Sequence, residues 1–316
     1  MQARCNRNLF ILCMCLVLTT GTKAQQASRI YIEPTGWSIG TQCGLSDLWG
    51  NVGTQSPIEH YINSKYFNKV TFMGGMFGRY TIHPAFALRG MLNYGSLFAT
   101  DAWNYDLAKK NTTQGQDAYQ RYARAQDAKD IVFESSLLME VTPLRMNPES
   151  RLAHKRGQPY LELGVTYYHF TPYSTVAASP TWVQTYNLDL EGQGWGAGYP
   201  KAYKLWQFAI PLGLGYRWDL GQHLNLGLEW LWRKTFTPYL DGVSGPYIGN
   251  AAFQAHLSPS QAILAEQVES KSVYTGLSEP NTPGTLRGTE GFKDSYSTIS
   301  IVFYYKVTSR NREWWH

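Results

Sequence analysis

From Trp206 to Trp218 every second residue is large and apolar: Trp206, Phe208, Ile210, Leu212, Leu214, Tyr216 and Trp218. Gln207, Ala209, Pro211, Gly213, Gly215 and Arg217 sit between them. After a turn at Leu220-Gly221-Gln222-His223, Leu224, Leu226, Leu228, Trp230 and Trp232 alternate with Asn225, Gly227, Glu229, Leu231 and Arg233. Successive side chains of a strand point to opposite faces, so each run has one apolar face and one small or polar face. Ordinary strands run to about 5–6 residues. These are longer, and match the roughly 9–11 residues of a tilted strand that crosses a bilayer. Tryptophans near the ends of the apolar faces fit an aromatic girdle. The pattern predicts a transmembrane β-hairpin.

The same rhythm recurs along the chain. Trp37, Ile39, Thr41, Cys43 and Leu45 alternate with smaller residues, and a second run spans about Val70 to Ile82. His83-Pro84-Ala85 makes a tight connection, because proline cannot join a central ladder. Phe86 to Tyr94, Ile131 to Val141, Leu161 to Tyr167 and Ile299 to Val307 supply further strands. With the hairpin they make eight. Connections one, three, five and seven are long, whereas two, four and six are short, the asymmetry of outer-membrane barrels with long extracellular loops. The fold expected is all-β: an eight-stranded antiparallel up-and-down β-barrel in one domain, with both termini on the periplasmic side. Closure removes sheet edges that would be unpaired in lipid. Within the long third connection, Gln116 to Lys129 has helix-forming composition; Thr237 to Ser295 reads as the longest irregular segment.

If the apolar faces meet lipid, Arg79, Arg89, Arg217 and Arg233 point inward with Glu134, Glu140, Glu162 and Glu229. Buried charges must be paired and hydrogen-bonded, so four of each sign suit a closed interior. An eight-stranded barrel is only wide enough for side chains to fill, which predicts a plugged lumen. Pro211 removes a ladder donor in mid-strand, and a bulge is expected there.

Composition adds an address. Arg4 and Arg7 precede the apolar Leu9–Leu18 run, and Thr22-Lys23-Ala24 offers a cleavage site. Residues 1–24 therefore read as a signal peptide and 25–316 as the barrel domain in a Gram-negative outer membrane. The run is too short for a spanning helix. Of four cysteines only Cys43 follows that segment, on the lipid face, so no internal disulfide or cysteine cage is expected. Removing Arg4, Arg7 and Lys23 from the 28 bases leaves 25 against 23 acids, too even a balance to argue for nucleic acid.

Candidate chemistry is sparse. The seven histidines lack metal-ligand spacing, there is no GxSxG elbow, and no cofactor or metal site is expected. His169 with Ser174 or Thr171, near the outer rim, is the best pairing for a lipid-modifying enzyme, but a base and nucleophile also need a third group to orient them. A basic turn holding Arg145, Arg151, His154, Lys155 and Arg156 would share the periplasmic side with Arg310, Arg312, Trp314 and Trp315. It reads either as a solvated turn or as a docking patch. The seventh connection, far beyond the usual 12–15 residues of a structureless loop, supports a surface-binding barrel that meets an extracellular ligand.

Three stretches carry a resemblance: FGRYTIHPAFALRGMLNYG (Phe77–Gly95), QPYLELGVTYYHFTP (Gln158–Pro172) and FAIPLGLGYRWDLGQHLNLGLEWLWRKTFTPYLDGVSGPY (Phe208–Tyr247). Together they resemble small outer-membrane barrels of Bacteroidota that include the barrel subunit of the type IX secretion system. Thr235, Phe236, Thr237, Tyr239, Leu240, Asp241, Val243 and Ser244 match that family's TFTDYLDDVS run, while Pro238 and Gly242 replace two of its three acidic residues. The resemblance implies an eight-stranded barrel and, for the secretion subunit, a non-enzymatic role holding a periplasmic lipoprotein ring against outer-membrane lipid. The matching residues would form a folded loop base capping the barrel mouth.

Overall fold

The computed structural model describes residues 33–307, apart from 55–57, 64–65, 67–68, 111–116, 178, 222, 273–281 and 290. The expected signal segment and the tail residues Arg310, Arg312, Trp314 and Trp315 lie outside the described residues.

Among the described residues nine strands run in chain order: β1 (Gly36–Trp49), β2 (Thr71–His83), β3 (Phe86–Thr100), β4 (Asp127–Val141), β5 (Gly157–Val176), β6 (Ser179–Gln184), β7 (Trp206–Asp219), β8 (Leu224–Thr235) and β9 (Ser295–Lys306). All pair antiparallel. β4 pairs with both β3 and β5, and β1 joins β9, so eight strands close on themselves; β6 is a short flap paired only with β5. The closed eight-stranded antiparallel β-barrel is the fold that the alternation predicts.

Register follows from the two faces. Slipping a strand by one residue would turn its whole apolar set inward. In β4, Phe133, Leu137 and Met139 are exposed on the outer wall, whereas Val132, Glu134, Leu138 and Glu140 are buried. The outer wall carries Leu88, Leu92, Leu163, Leu212, Leu228 and Ile301. Cys43 is free and exposed there. No described helix is long and apolar enough to cross a membrane, which says nothing of strands.

Pro211 makes no bulge. Leu163↔Leu212 and Thr166↔Ala209 keep one constant register across it, and only the intervening pairs with β5 drop out. On its other side Pro211 pairs with Arg233 in an unbroken ladder with β8. The strand sheds local hydrogen bonds instead of adding a residue, because an insertion would have flipped the inward Arg217 outward.

The long connections are structured. Five helices are described: α1 (Ile58–Ile62), α2 (Tyr105–Lys110), α3 (Asp117–Arg124), α4 (Asn250–His256) and α5 (Pro259–Glu269). α3 falls within the stretch with helix-forming composition, but β4 begins at Asp127 and takes its last residues. α4 and α5 replace an expected irregular segment. α5 starts on a capping box, Ser258 with Gln261, and has proline in its first turn, where the missing N–H costs nothing. Phe253, Ala262, Ala265 and Val268 pack with Leu188 and Leu190 into a small core beyond the barrel.

Candidate functional site

All eight sequence-expected interior charges are buried in the lumen. Arg89 on β3 grips Glu229 on β8 with both terminal nitrogens, at 2.7 and 2.8 Å, and lies 3.1 Å from Glu162. Arg79 and Arg217 share Glu140. Towards the long connections, Arg233 donates to Glu134 at 2.6 Å, and Tyr296 and Asn93 donate to the same carboxylate. Side chains this well buried fill the lumen, as an eight-stranded barrel requires.

Four further charges join the network at the short-turn end. Glu33 meets Arg79 and Arg217 at 3.0 and 3.1 Å and also pairs with Arg145. Asp219 takes Arg145 at 3.0 Å and Lys306 at 2.9 Å. Glu33 therefore belongs to the barrel's interior charge network. Arg145 departs from the expected docking patch: it is 2% exposed and forms no part of one. The 3-10 turn Pro143–Arg145 folds it back into the lumen, where two carboxylates need a cation. Period-2 alternation from Arg217 and Tyr304 already places Asp219 and Lys306 inward; nothing in the local pattern marks Glu33 or Arg145. Arg151, Lys155 and Arg156 remain exposed at the short-turn end.

At the opposite end the four long connections are tied together by a few buried polar groups. Asn51 donates from Nδ2 to the Val243 carbonyl at 2.8 Å, accepts from the Thr289 N–H, and offers its own carbonyl to Arg121 and Arg124. Arg124 pairs with Asp101 and donates to the Arg287 carbonyl at 2.7 Å. Arg287 in turn pairs with Glu191 at 3.1 Å and donates to the Gly242 carbonyl. Residues from all four connections thus enter one hydrogen-bonded cap.

The segment singled out by the resemblance is the keystone of that cap. Thr235, Thr237, Tyr239, Leu240, Asp241, Val243 and Ser244 are buried; Phe236 alone is exposed. Leu240 and Val243 pack with Leu48, Val52, Leu97 and Trp103 over the barrel mouth. Asp241 accepts from the Val52 and Val243 N–H groups at 2.9 Å each. Asp294 accepts from the Leu240 N–H. Burial pushes the Asp241 carboxyl up to about 6, against the pull of those N–H groups and Arg124. Burial, then Asp241 and Asp130, hold Asp294 well above the usual carboxylate range.

Two constellations bear on nucleophilic chemistry. His169 packs against Trp206 on the outer wall, at 4.9 Å between ring centroids with the planes tilted by 59°, whereas Ser174 points inward. They lie on opposite faces of β5 and form no pair. Ser174 instead donates to the Asp127 carbonyl and accepts from Lys271 Nζ at 2.8 Å, fixing the end of α5 to the barrel rim. Sequence reading missed a second relay, Asp47–His60–Thr54. His60 Nδ1 lies 2.8 Å from Asp47 and Nε2 lies 2.8 Å from the Thr54 hydroxyl. The imidazole is buried against Trp103 and Tyr66, and the nearby Gly53 N–H is committed to Asp101, which leaves it no free hydrogen for an oxyanion. The relay straps α1 to the end of β1. No group of three or more His, Cys, Asp or Glu suited to a metal ion occurs among the described residues.

A cleft of about 560 Å³ opens in the cap where the β5–β7 and β8–β9 connections meet, with Glu191, Tyr199, Lys201, Tyr239, Gly245 and Lys293 in its wall. Gly198 lines it at the end of a run, Gly192, Gly194, Gly196 and Gly198, whose φ values of 72°, 89°, 113° and 92° place every second residue where side chains are strained.

No protein-family model matches the chain, and no curated protein matches it. Three solved outer-membrane proteins are similar in shape. Ail of Yersinia pestis, solved with the heparin analogue sucrose octasulfate, has 7% identity over 86% of this chain and 98% of that one, with TM-score 0.36. Neisserial surface protein A has 9% identity over 86% and 97%, TM-score 0.35. OprG from Pseudomonas aeruginosa has 9% identity over 87% and 97%, TM-score 0.33. At such scores the likeness carries no argument, and the fold rests on the strand pairing of the chain itself.

Proposed function

We propose that the chain is a non-enzymatic outer-membrane β-barrel that presents a preassembled loop cap to the cell exterior as a binding platform. The observation that carries this is the cap: four long connections held by Asn51, Arg124, Arg287 and Glu191, two of those connections sharing a small core beyond the barrel. Structureless loops cost ordering entropy on binding, and a cap already folded avoids that cost. The apolar outer wall suits lipid, and the filled lumen argues against a diffusion pore. In intact cells, replacing residues 189–200 with a Gly/Ser linker should leave a heat-modifiable barrel in the outer membrane. It should abolish adhesion to an immobilised panel of extracellular glycans and proteins. Equal adhesion by both forms would refute the platform.

A second reading keeps the type IX-like accessory role implied by the Bacteroidota resemblance, which rests on the quoted residues alone. Its support is the exposed trio Arg151, Lys155 and Arg156, a compact cationic site for a periplasmic lipoprotein. Changing all three to Glu should remove a cross-linked periplasmic partner; an unchanged cross-linking pattern would end this reading.

A further inference from the structure

Resting on the platform reading, we propose that the cleft between the β5–β7 and β8–β9 connections is a saccharide site, selective for a sugar that carries an acidic group. Its volume of about 560 Å³ lies within the roughly 300–1,000 Å³ of ordinary ligand clefts.

The base of the cleft holds an acceptor. Glu191 is 1% exposed, and its Oε1 is committed to the Ser244 N–H at 2.6 Å and to Arg287. Among the described residues Oε2 has no hydrogen-bond partner. A buried acceptor left unmatched costs about 1–3 kcal/mol, and such groups usually have a reason. Packing beside it is light on the Gly245 side, where a Cβ would stand 3.2 Å from Oε2 and, among the described residues, would meet nothing but that carboxylate within 4 Å. A ligand hydroxyl reaching in over the side-chain-free Gly245 would donate to Oε2.

The walls supply a stacking surface. Tyr239 lies flat on Tyr203, 4.5 Å away with an 18° tilt, and Tyr203 lies on Phe170, so this ring is fixed before any ligand arrives. Tyr199 packs edge-on against Trp195, which stacks on His256. Aromatic walls with a few placed polar groups are the usual make-up of a small-molecule cleft. A sugar ring has both an apolar C–H face for such a wall and hydroxyls for Glu191.

Charge sets the preference. Lys201 and Lys293 are exposed in the cleft wall, while the single carboxylate there among the described residues, Glu191, is already paired with Arg287. The opening is cationic, which favours an anionic ligand and repels an amine.

The test is calorimetry on the full chain in detergent micelles, with tri-galacturonate, maltotriose and a tri-aspartate peptide as probes. Tri-galacturonate should bind, and maltotriose should bind at least about tenfold more weakly. Glu191→Gln keeps the Oε1 contacts but turns a donor toward the cleft; Gly245→Ala narrows the approach to Oε2. Each should weaken tri-galacturonate by about tenfold or more. Lys201→Ala with Lys293→Ala should bring it down to the maltotriose level. Absence of tri-galacturonate binding, binding indifferent to both Glu191→Gln and Gly245→Ala, or preference for the peptide would each overturn the proposal. Amide exchange on the same samples separates the two claims. A protected cap that binds no sugar refutes the saccharide site alone, and an unprotected cap refutes the platform.

Discussion

Arg89 and Glu229 lie 140 residues apart in sequence, yet they form a two-pronged ion pair across the lumen between β3 and β8. The guanidinium also faces the Phe77 ring at 4.9 Å and approaches Glu162 and Glu140. Removing it would leave three buried carboxylates short of a cation. Arg89→Ala should destabilise the barrel by about 3–5 kcal/mol, the cost of breaking a buried pair. Arg89→Ala with Glu229→Ala should cost less than the sum of the single changes. Urea unfolding in lipid vesicles, read by loss of heat-modifiable mobility, checks both statements.

Glu33 precedes the first strand and neutralises Arg79, Arg145 and Arg217 at once. Glu33→Ala should therefore destabilise the chain as severely as loss of a mid-strand charge, by about 3–5 kcal/mol. Glu149→Ala, on the exposed short turn, should stay within about 0.5 kcal/mol. Equal, small effects at the two positions would remove Glu33 from the network.

The cap should respond to pH through Asp241 and Asp294. Both carboxyls are held above their usual value near 4, Asp241 at about 6. A raised folded-state value means that protonation favours the folded cap. The stabilisation is complete below about pH 4 and is lost as pH rises through 6. Corrected for intrinsic rates, amide exchange at Val52 and Val243 should be slower at pH 5 than at pH 8, and Asp241→Asn should flatten the difference. Greater protection at pH 8 would reverse the assignment.

Leu137 faces out and its neighbour Leu138 faces in, fully buried in the lumen. If the outer wall meets lipid, Leu137→Arg should cost about 2–4 kcal/mol in bilayers, as a charge near the midplane does. The same change at exposed Ser260 in α5 should cost almost nothing. Equilibrium unfolding in vesicles distinguishes the two.

Strands were the legible part of this chain because alternation is a local signal. Arg79 and Leu137 are told apart by parity alone. Glu33 and Arg145 were not legible, since each reaches the lumen from a segment with no period to read. The cap was hidden for a related reason. Its keystone contacts join Asn51 to Val243, 192 residues on, and Arg124 to Arg287, 163 residues on. No window of sequence contains both partners. Alternating glycines from Gly192 to Gly198 were the one local sign of a shaped loop, because each sits at a positive φ that other residues resist. Pro211 misled in the opposite direction: its missing donor is real, but the sheet kept register and gave up hydrogen bonds instead.

The central claim, a lipid-embedded barrel with its folded cap outside and its short turns inside, is most directly tested by cysteine labelling of intact cells. In a Cys43→Ser background, a membrane-impermeant maleimide should label Ser260→Cys at once. It should label Lys155→Cys only after the outer membrane is permeabilised. Labelling of Lys155→Cys in intact cells, with Ser260→Cys protected, would contradict the account.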